Sequence, residues 1–147
     1  MEHFKTIAEV LRFAERHYSN PHAMGYQPEG NEWKYLSTRE FLDEVKYLSL
    51  GLVTLGIKKG EMVGILANSS PRWSIADVAI MVAGGVTVPL FANISDENFE
   101  FEINQTGLKT IFVSGEEQWE KFDHHQSLFN RAINLYASAT HPHKELR

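Results

Sequence analysis

Two glycines, Gly51 and Gly56, show the spacing at which a P-loop binds the phosphates of a nucleotide. A P-loop places lysine directly after the second glycine, and here Ile57 follows. The pair also falls at the end of a helical pattern, whereas a P-loop connects a strand to a helix. We therefore assign no phosphate binding to it. Neither G-x-G-x-x-G nor G-x-S-x-G occurs in the chain.

Histidines and carboxylates are the next groups that could do chemistry. The pair His141 and His143 could bind a transition metal, but no cysteine or carboxylate stands at ligand spacing, which favours a solvated tail. Asp77 lies in an apolar helical pattern, and either a basic partner or an exposed position would explain it. An acidic group is most simply a solvated helix face: Asp96, Glu97, Glu100 and Glu102. We predict no catalytic, cofactor-binding or metal site.

Polar loops follow three predicted strands, and ligands of open α/β sheets bind beyond the carboxyl ends of strands. The loops are Asn68-Ser69-Ser70, Ala92-Asn93 and Ser114-Gly115. Ser70 and Ser95 precede helical patterns, so helix capping is favoured for both over ligand binding. Trp73 could line a ligand wall, although packing on the domain surface is favoured.

The stretch from Glu61 to Phe91 positions these loops. It predicts a buried strand at 62–67, a helix entered through Ser70 and Pro71, a stop at Gly84-Gly85 and a second strand at 86–91. The helix is expected to bury one face: Ile75, Val78, Ala79 and Val82. This is one βαβ unit with a right-handed crossover.

Flanking patterns extend the same plan. Helices are predicted over 6–18, from Ser37 with Glu40 as a capping box, from Ser95 with Phe99, Ile103 and Phe101 towards the core, and over 116–122. A loop is predicted over 24–34, and strands at 33–36 and 110–113.

Three predicted helices end at a glycine followed by an apolar residue, as in a Schellman stop: Gly56-Ile57, Gly85-Val86 and Gly107-Leu108. Each stop leads to a strand. The fold class is therefore α/β, a three-layer, mostly parallel sheet with right-handed βαβ crossovers.

The segments 64–73 and 83–91, with 35–41 upstream and the chain as far as about Lys121, resemble a known family in order and spacing. This family is the adenylate-forming (AMP-binding) acyl-CoA synthetases, and the likeness is to the N-terminal part of the long-chain fatty acid–CoA ligases. The resemblance implies an incomplete N-terminal subdomain over residues 1–122. Residues 123–147 match weakly and are expected to be a helical or disordered tail. Phe129, Ile133 and Tyr136 continue an amphipathic pattern there, and no further strand is predicted.

The resemblance also implies a chemistry for the full-length parent. Such an enzyme activates a carboxylic acid with ATP and magnesium to an acyl-adenylate, then transfers the acyl group to coenzyme A. The Ser/Thr/Gly-rich loop that would bind the triphosphate is absent from this sequence. No catalytic residue is therefore carried over, and no cofactor is assigned to this chain, which we expect to be an inactive scaffold by itself.

Composition restricts the remaining possibilities. A net charge of −5 disfavours nucleic-acid binding, and zero cysteines exclude disulfides and a cysteine nucleophile. The chain shows no signal pattern and no apolar stretch long enough to span a bilayer, so a cytoplasmic location is expected.

Two other function classes were weighed. A non-catalytic module derived from such a ligase would leave an edge strand and one apolar face uncovered, to be covered by the missing C-terminal remainder or by a second copy. That hypothesis predicts an oligomer. A flavodoxin- or receiver-type signalling domain ranks lower, because Asn68-Ser69 and Ala92-Asn93 lack the acidic residues that a receiver uses for magnesium.

Overall fold

A computed structural model describes residues 3–28 and 32–136. The helices are α1 (Ile7–His17), α2 (Thr38–Thr54), α3 (Pro71–Val82), α4 (Asp96–Thr106) and α5 (Glu116–His124), with a 3₁₀ turn at Gln126–Leu128. The strands are β1 (Met24–Tyr26), β2 (Lys34–Leu36), β3 (Met62–Leu66), β4 (Val86–Leu90), β5 (Thr110–Val113) and β6 (Arg131–Asn134). The predicted loop over 24–34 therefore contains a short strand, β1, which pairs antiparallel with β2.

Strands β3 to β6 form one sheet in the order β4-β3-β5-β6, and every pair in it is parallel. Ile65 of β3 lies opposite Pro89 in β4 and Phe112 in β5. Proline has no N–H to donate, and β4 tolerates it because an edge strand needs only one side of its ladder. The predicted α/β class with a parallel sheet is confirmed.

Helices cover both faces of this sheet, because alternate residues of each strand point to opposite sides. Val63, Ile65 and Phe112 pack with α2 and α3 in the first core, and α1 packs outside these two helices. Leu66 and Ile111 pack with α4 and α5 in the second core. The three layers are confirmed. The prediction that one apolar face of the sheet is uncovered is wrong for the described residues. What remains open in this sheet is the outer edge of β4 and of β6, each of which pairs on one side only.

The connections alternate in a consistent way. Helix α3 crosses from β3 to β4 over the first core, whereas α4 and α5 cross in the opposite direction over the second core. Reversing both the direction and the face keeps the hand unchanged. All three crossovers therefore have the same hand, as the rule for right-handed βαβ units requires.

The predicted helix starts are confirmed. Ser37 Oγ accepts from the Glu40 backbone N–H, and the Glu40 carboxylate accepts from the Ser37 N–H in return, which completes the capping box. Ser70 precedes Pro71 at the first position of α3 and accepts from the Trp73 N–H at 3.1 Å.

Two buried stripes differ from prediction. Helix α3 buries Ile75, Ala76, Ala79 and Ile80, while Val78 and Val82 are only partly buried. The buried face is rotated because α3 packs on the sheet, on α2 and on α1 at once. In α4, Phe99 and Ile103 are buried as expected, but Phe101 is 61% exposed. Two helical residues turn a side chain about 200° away from Phe99, so the expected inward position of Phe101 is wrong.

The three glycine stops are real but not identical. Gly56 has φ 89°, and Ile57 N–H donates to Leu52 O, which is a Schellman stop. The predicted stop of α3 was Gly85 followed by the apolar Val86. The residue in the left-handed conformation is instead Gly84, so Gly85 takes the position predicted for Val86. Gly107 makes the simpler αL stop, with its N–H donating to Ile103 O.

The chain after residue 122 differs most from the sequence analysis. The predicted boundary falls inside α5, and the amphipathic helix expected from Asp123 onwards is wrong, because β6 follows the 3₁₀ turn and pairs with β5. Ala132 packs in the second core and Ile133 against the first, which is the alternation of a strand. The tail expected at 137–147 lies outside the described residues.

Candidate functional site

The loops that follow β3, β4 and β5 lie at one edge of the sheet, because parallel strands end on the same side. An open groove of about 540 Å³ runs between the first two loops. Its lining is contributed by the strand ends, both loops and the first turn of α3: Ala67, Asn68, Ser69, Trp73, Pro89, Leu90, Phe91, Ala92 and Asn93. Two of the three predicted loops are therefore brought together.

The groove is neutral. Asn68, Ser69 and Asn93 supply exposed amides and a hydroxyl, and Phe91, which is 79% exposed, supplies an aromatic wall. None of the described lining residues is charged. Such a surface can exchange hydrogen bonds and contact a flat apolar group, but it has no cation to offset the charge of a triphosphate.

The predicted cap residues are occupied by backbone contacts. Ser70 Oγ accepts from Trp73 N–H at 3.1 Å, and Ser95 Oγ accepts from Asn98 N–H at 3.3 Å. Trp73 both packs against the first core and lines the groove. The capping interpretation of Ser70 and Ser95 is therefore confirmed.

Gln118 was missed by the sequence analysis, although it organises this edge. Its side chain is buried, and its Nε2 donates to Ala92 O at 2.9 Å, which joins the start of α5 to the loop after β4. Gly115 has φ 100°, and a Cβ there would overlap the Gln118 amide. A glycine three residues before a glutamine at a helix start is the signal that could have indicated this contact.

The third loop, Ser114-Gly115, lies at the topological switch point of the sheet. The connection from β3 runs to one side, to β4, and the connection from β4 runs back across β3 to β5 on its other side. The switch point therefore lies between β3 and β5. There, Ser114 N–H donates to Leu66 O at 3.1 Å. The groove lies instead between the ends of β3 and β4, and Ser114-Gly115 does not line it.

The acidic residues form no catalytic pair. Asp77 is half-buried, its backbone carbonyl accepts from Thr87 Oγ1, and no cation of residues 3–28 or 32–136 is within ion-pair distance of its carboxylate. Asp96 contacts Lys121 Nζ at 2.7 Å. The hydrogen bond from Lys121 and its positive charge lower the pKa of Asp96 below its ordinary value. Glu97 and Glu100 are exposed, which fits a solvated face.

No three His, Asp or Glu side chains group as metal ligands in the described part of the chain. His125 contacts Asp96 and the ring of Phe99, while His141 and His143 lie outside the described residues. The helices that the structure describes include none long and apolar enough to cross a membrane.

The fold is a three-layer α/β arrangement with a neutral groove at the carboxyl edge of its parallel sheet. The sequence model of the family described as AMP-binding enzyme matches residues 11–144. The chain therefore belongs to the AMP-binding enzyme family.

Several relatives are long-chain fatty acid–CoA ligases. The chain is 28% identical over 116 residues to the long-chain fatty acid–CoA ligase ACSBG2 from Xenopus laevis. This alignment covers 79% of this chain and 16% of that protein. It is 29% identical over 81 residues to FadD15 from Mycobacterium tuberculosis, covering 55% of this chain and 14% of the relative. The chain thus spans about a sixth of the length of the relatives that it matches.

Solved structures of adenylate-forming ligases share the fold. The anthranilate CoA ligase AuaEII in complex with anthranoyl-AMP aligns with a TM-score of 0.77 at 16% identity, covering 91% of this chain and 25% of that one. The fatty acyl-adenylate ligase from L. pneumophila aligns with a TM-score of 0.74 at 16% identity, covering 91% and 24%.

Proposed function

We propose that this chain is an N-terminal scaffold fragment of an ATP-dependent fatty acid or carboxylic acid–CoA ligase. The full-length parent would form an acyl-adenylate from ATP, with magnesium, and then transfer the acyl group to coenzyme A. Family membership over 11–144 carries the proposal, and the long-chain ligases among the relatives favour a fatty acid as substrate.

We further propose that the chain alone does not adenylate. The groove lies at the carboxyl edge of the sheet but away from its topological switch point, and its lining is neutral and open. Catalysis at phosphorus depends on donors and cations aimed at the developing charge, and the described lining residues offer only amides, a hydroxyl and rings. The residues present therefore do not fit the triphosphate or its magnesium ion.

ATP–pyrophosphate exchange tests the inactivity. Purified 147-residue protein, supplied with a long-chain fatty acid, ATP and magnesium, is expected to show no exchange above the protein-free background. A complete long-chain ligase under the same conditions is the positive control. Exchange by the pure chain would contradict the proposal.

The reading frame beyond codon 147 tests the scaffold role. A frame that continues into a Ser/Thr/Gly-rich loop followed by lysine would support a piece of an active ligase. A stop codon at this point, with the protein accumulating at this size in cells, would contradict the ligase function.

A second candidate is a partner-binding module, which the edge of the sheet favours. Strand β4 pairs on one side only, and Val86 and Phe91 beside that edge are 44% and 79% exposed. Edge strands with apolar side chains tend to pair with another chain. Either the remainder of the ligase or a second copy could supply the missing neighbour.

The molar mass from light scattering tests whether a second copy of the chain is the missing neighbour of β4. Self-association predicts a dimer for the 147-residue protein and a monomer for Val86→Lys, because a charge on an edge opposes pairing. Val53→Lys on the outer face of α2, also exposed, is the matched control and should stay dimeric. A monomeric unsubstituted protein would count against self-association.

A further inference from the structure

Aromatic rings cluster on the solvent side of α1, outside both cores. The rings of Phe4 and Phe13 are 5.3 Å apart, Phe13 stacks on His17 at 4.0 Å, and Tyr18 lies 6.0 Å from Phe13. Phe4 is 41% exposed and Tyr18 is 61% exposed. Core packing does not explain this cluster, since α1 packs on the first core through Leu11 on its other side.

Cations surround these rings. Lys5, Arg12 and Arg16 line the same open cavity of about 450 Å³ as Phe4 and Phe13. Its only acidic residue among those described is Glu9, whose carboxylate accepts from the Lys5 backbone N–H. No described carboxylate lies within ion-pair distance of Arg12 or Arg16. The patch is therefore positive on a chain whose net charge is −5.

The remaining acid of α1, Glu15, lies 3.7 Å from Arg39 and so faces α2. Arg12 borders both surfaces, because it also lines a cavity with Glu15 and Asp43. Arg39 also donates to Asp43, and both acids hold its pKa above the ordinary value. The aromatic side of the helix keeps three cations against one carboxylate.

This combination selects among phosphate-bearing ligands. A small free anion is usually held by buried donors, and the cations here are exposed on an open surface. A nucleic-acid site needs a longer basic stripe than one helix turn or two, and the acidic chain around the patch would repel it. A bilayer surface presents many phosphates in a plane together with a zone that accepts aromatic rings.

We propose that the α1 surface, formed by Phe4, Lys5, Arg12, Phe13, Arg16 and Tyr18, binds peripherally to an anionic phospholipid bilayer. Phe4 precedes the helix and Tyr18 caps its end. The ring centroids of Phe4 and Tyr18 lie 5.3 Å and 6.0 Å from that of Phe13, so the exposed aromatic side chains form one compact patch that can insert together into the bilayer interface. The outermost position of α1, beyond α2 and α3, leaves this surface accessible.

The proposal goes beyond the ligase function and does not depend on it, because it rests on surface chemistry alone. If the parent does activate long-chain fatty acids, the same contact would hold it where these substrates accumulate.

Vesicle cosedimentation tests the proposal with the full 147-residue chain. Vesicles of two parts phosphatidylcholine to one part phosphatidylserine should bind it, pure phosphatidylcholine vesicles should bind it far less, and added salt should weaken binding. The double variant Arg12→Gln/Arg16→Gln should bind the anionic vesicles about 10- to 30-fold more weakly. Circular dichroism establishes that each variant is folded.

The matched control is Lys58→Gln/Lys59→Gln, which removes the same charge from the exposed turn after α2. It should change binding by about twofold at most. Phe4→Ala should weaken binding by roughly threefold, whereas Phe101→Ala on α4 should not. Lys5→Gln, which lies before the helix, gives a second charge variant if the arginine pair disturbs folding.

Four results would overturn the proposal. The first is equal binding to neutral and anionic vesicles. The second is equal losses from the arginine and lysine pairs. The third is release by inorganic phosphate at constant ionic strength, which would indicate a small-anion site. Tighter binding of the same residues to duplex DNA would also contradict it.

Discussion

The two cores on either side of the sheet differ in their chemistry. The buried residues of the first are mostly aliphatic, with Val45, Leu52, Ile75 and Ile80 packed on the sheet. Among the described residues, Phe112 is its one fully buried ring, and Phe41 and Trp73 are only partly buried against it. The second holds buried Phe99, Trp119 and Phe122, with Phe129 against them. The ring centroid of Phe122 lies 5.6 Å from that of Trp119 and 5.2 Å from that of Phe129.

This difference follows from the lengths of the elements. Helices α2 and α3 have 17 and 12 residues, and each buries several small or aliphatic side chains along one face. Helices α4 and α5 have 11 and 9 residues, so fewer side chains must fill a comparable space, and large rings do so. A core made from few large side chains depends more on each of them.

Phe99→Ala should give the largest loss of stability. The side chain is fully buried and contacts Phe129 and His125, so its removal leaves a cavity among rings that cannot close it. We expect the free energy of unfolding to fall by about 3–5 kcal/mol in urea titrations. Ile80→Val in the first core should cost about 0.5–1.5 kcal/mol.

Phe101→Ala is the control on the same helix, because Phe101 is 61% exposed. It should change stability by less than about 0.5 kcal/mol. A loss for Phe99→Ala no greater than that for Ile80→Val would show that the two cores are equally tolerant.

Gln118→Ala should give the next largest effect, on the second-core side. The substitution leaves Ala92 O without its side-chain donor and opens a small space beside Gly115. We expect a loss of about 1–3 kcal/mol by urea denaturation. Gln105→Ala on exposed α4 surface should be near neutral, and equal losses would exclude a specific role for the Gln118 contact.

The N-caps Ser70 and Ser95 each begin a helix on a different face of the sheet. Replacing either by alanine should cost about 1 kcal/mol. Trp73 reports on the first core and Trp119 on the second, so variants retaining one tryptophan can follow each face by fluorescence. If the faces unfold together, either substitution lowers both midpoints. A shift confined to one tryptophan would mean that the faces unfold separately.

Asp96→Asn should give the smallest effect, and one that depends on pH. Lys121 holds the folded pKa of Asp96 below its ordinary value, so the contact stabilises the fold above the ordinary pKa of an aspartate and is lost as pH falls through the lowered one. The variant should melt slightly earlier at neutral pH and match the unsubstituted protein in strong acid. Glu97→Gln, on the exposed face beside it, is the matched control, since Glu97 makes no ion pair among the described residues.

Local patterns were sufficient where local physics decides the outcome. Ser37 with Glu40, and Ser70 with Pro71, began helices as predicted, because a cap satisfies backbone groups within one turn. The glycine stops marked the ends of α2, α3 and α4 for the same reason. The candidate loops could also be located, since parallel strands place their carboxyl ends at one edge.

Long-range contacts explain what the patterns missed. Strand β6 was not predicted because Arg131, Ala132 and Ile133 show weak alternation, and pairing with β5 determines their structure. Gln118 acquires its role only when the fold places Ala92 beside it.

The α/β class, the starts of the helices and the resemblance to acyl-CoA ligases follow from the sequence, since they depend on neighbours along the chain. The strand order, the buried face of α3, the neutral groove and the cationic aromatic surface of α1 emerge only in the folded structure. Each of these depends on which side chains meet across the fold, and sequence spacing does not specify that.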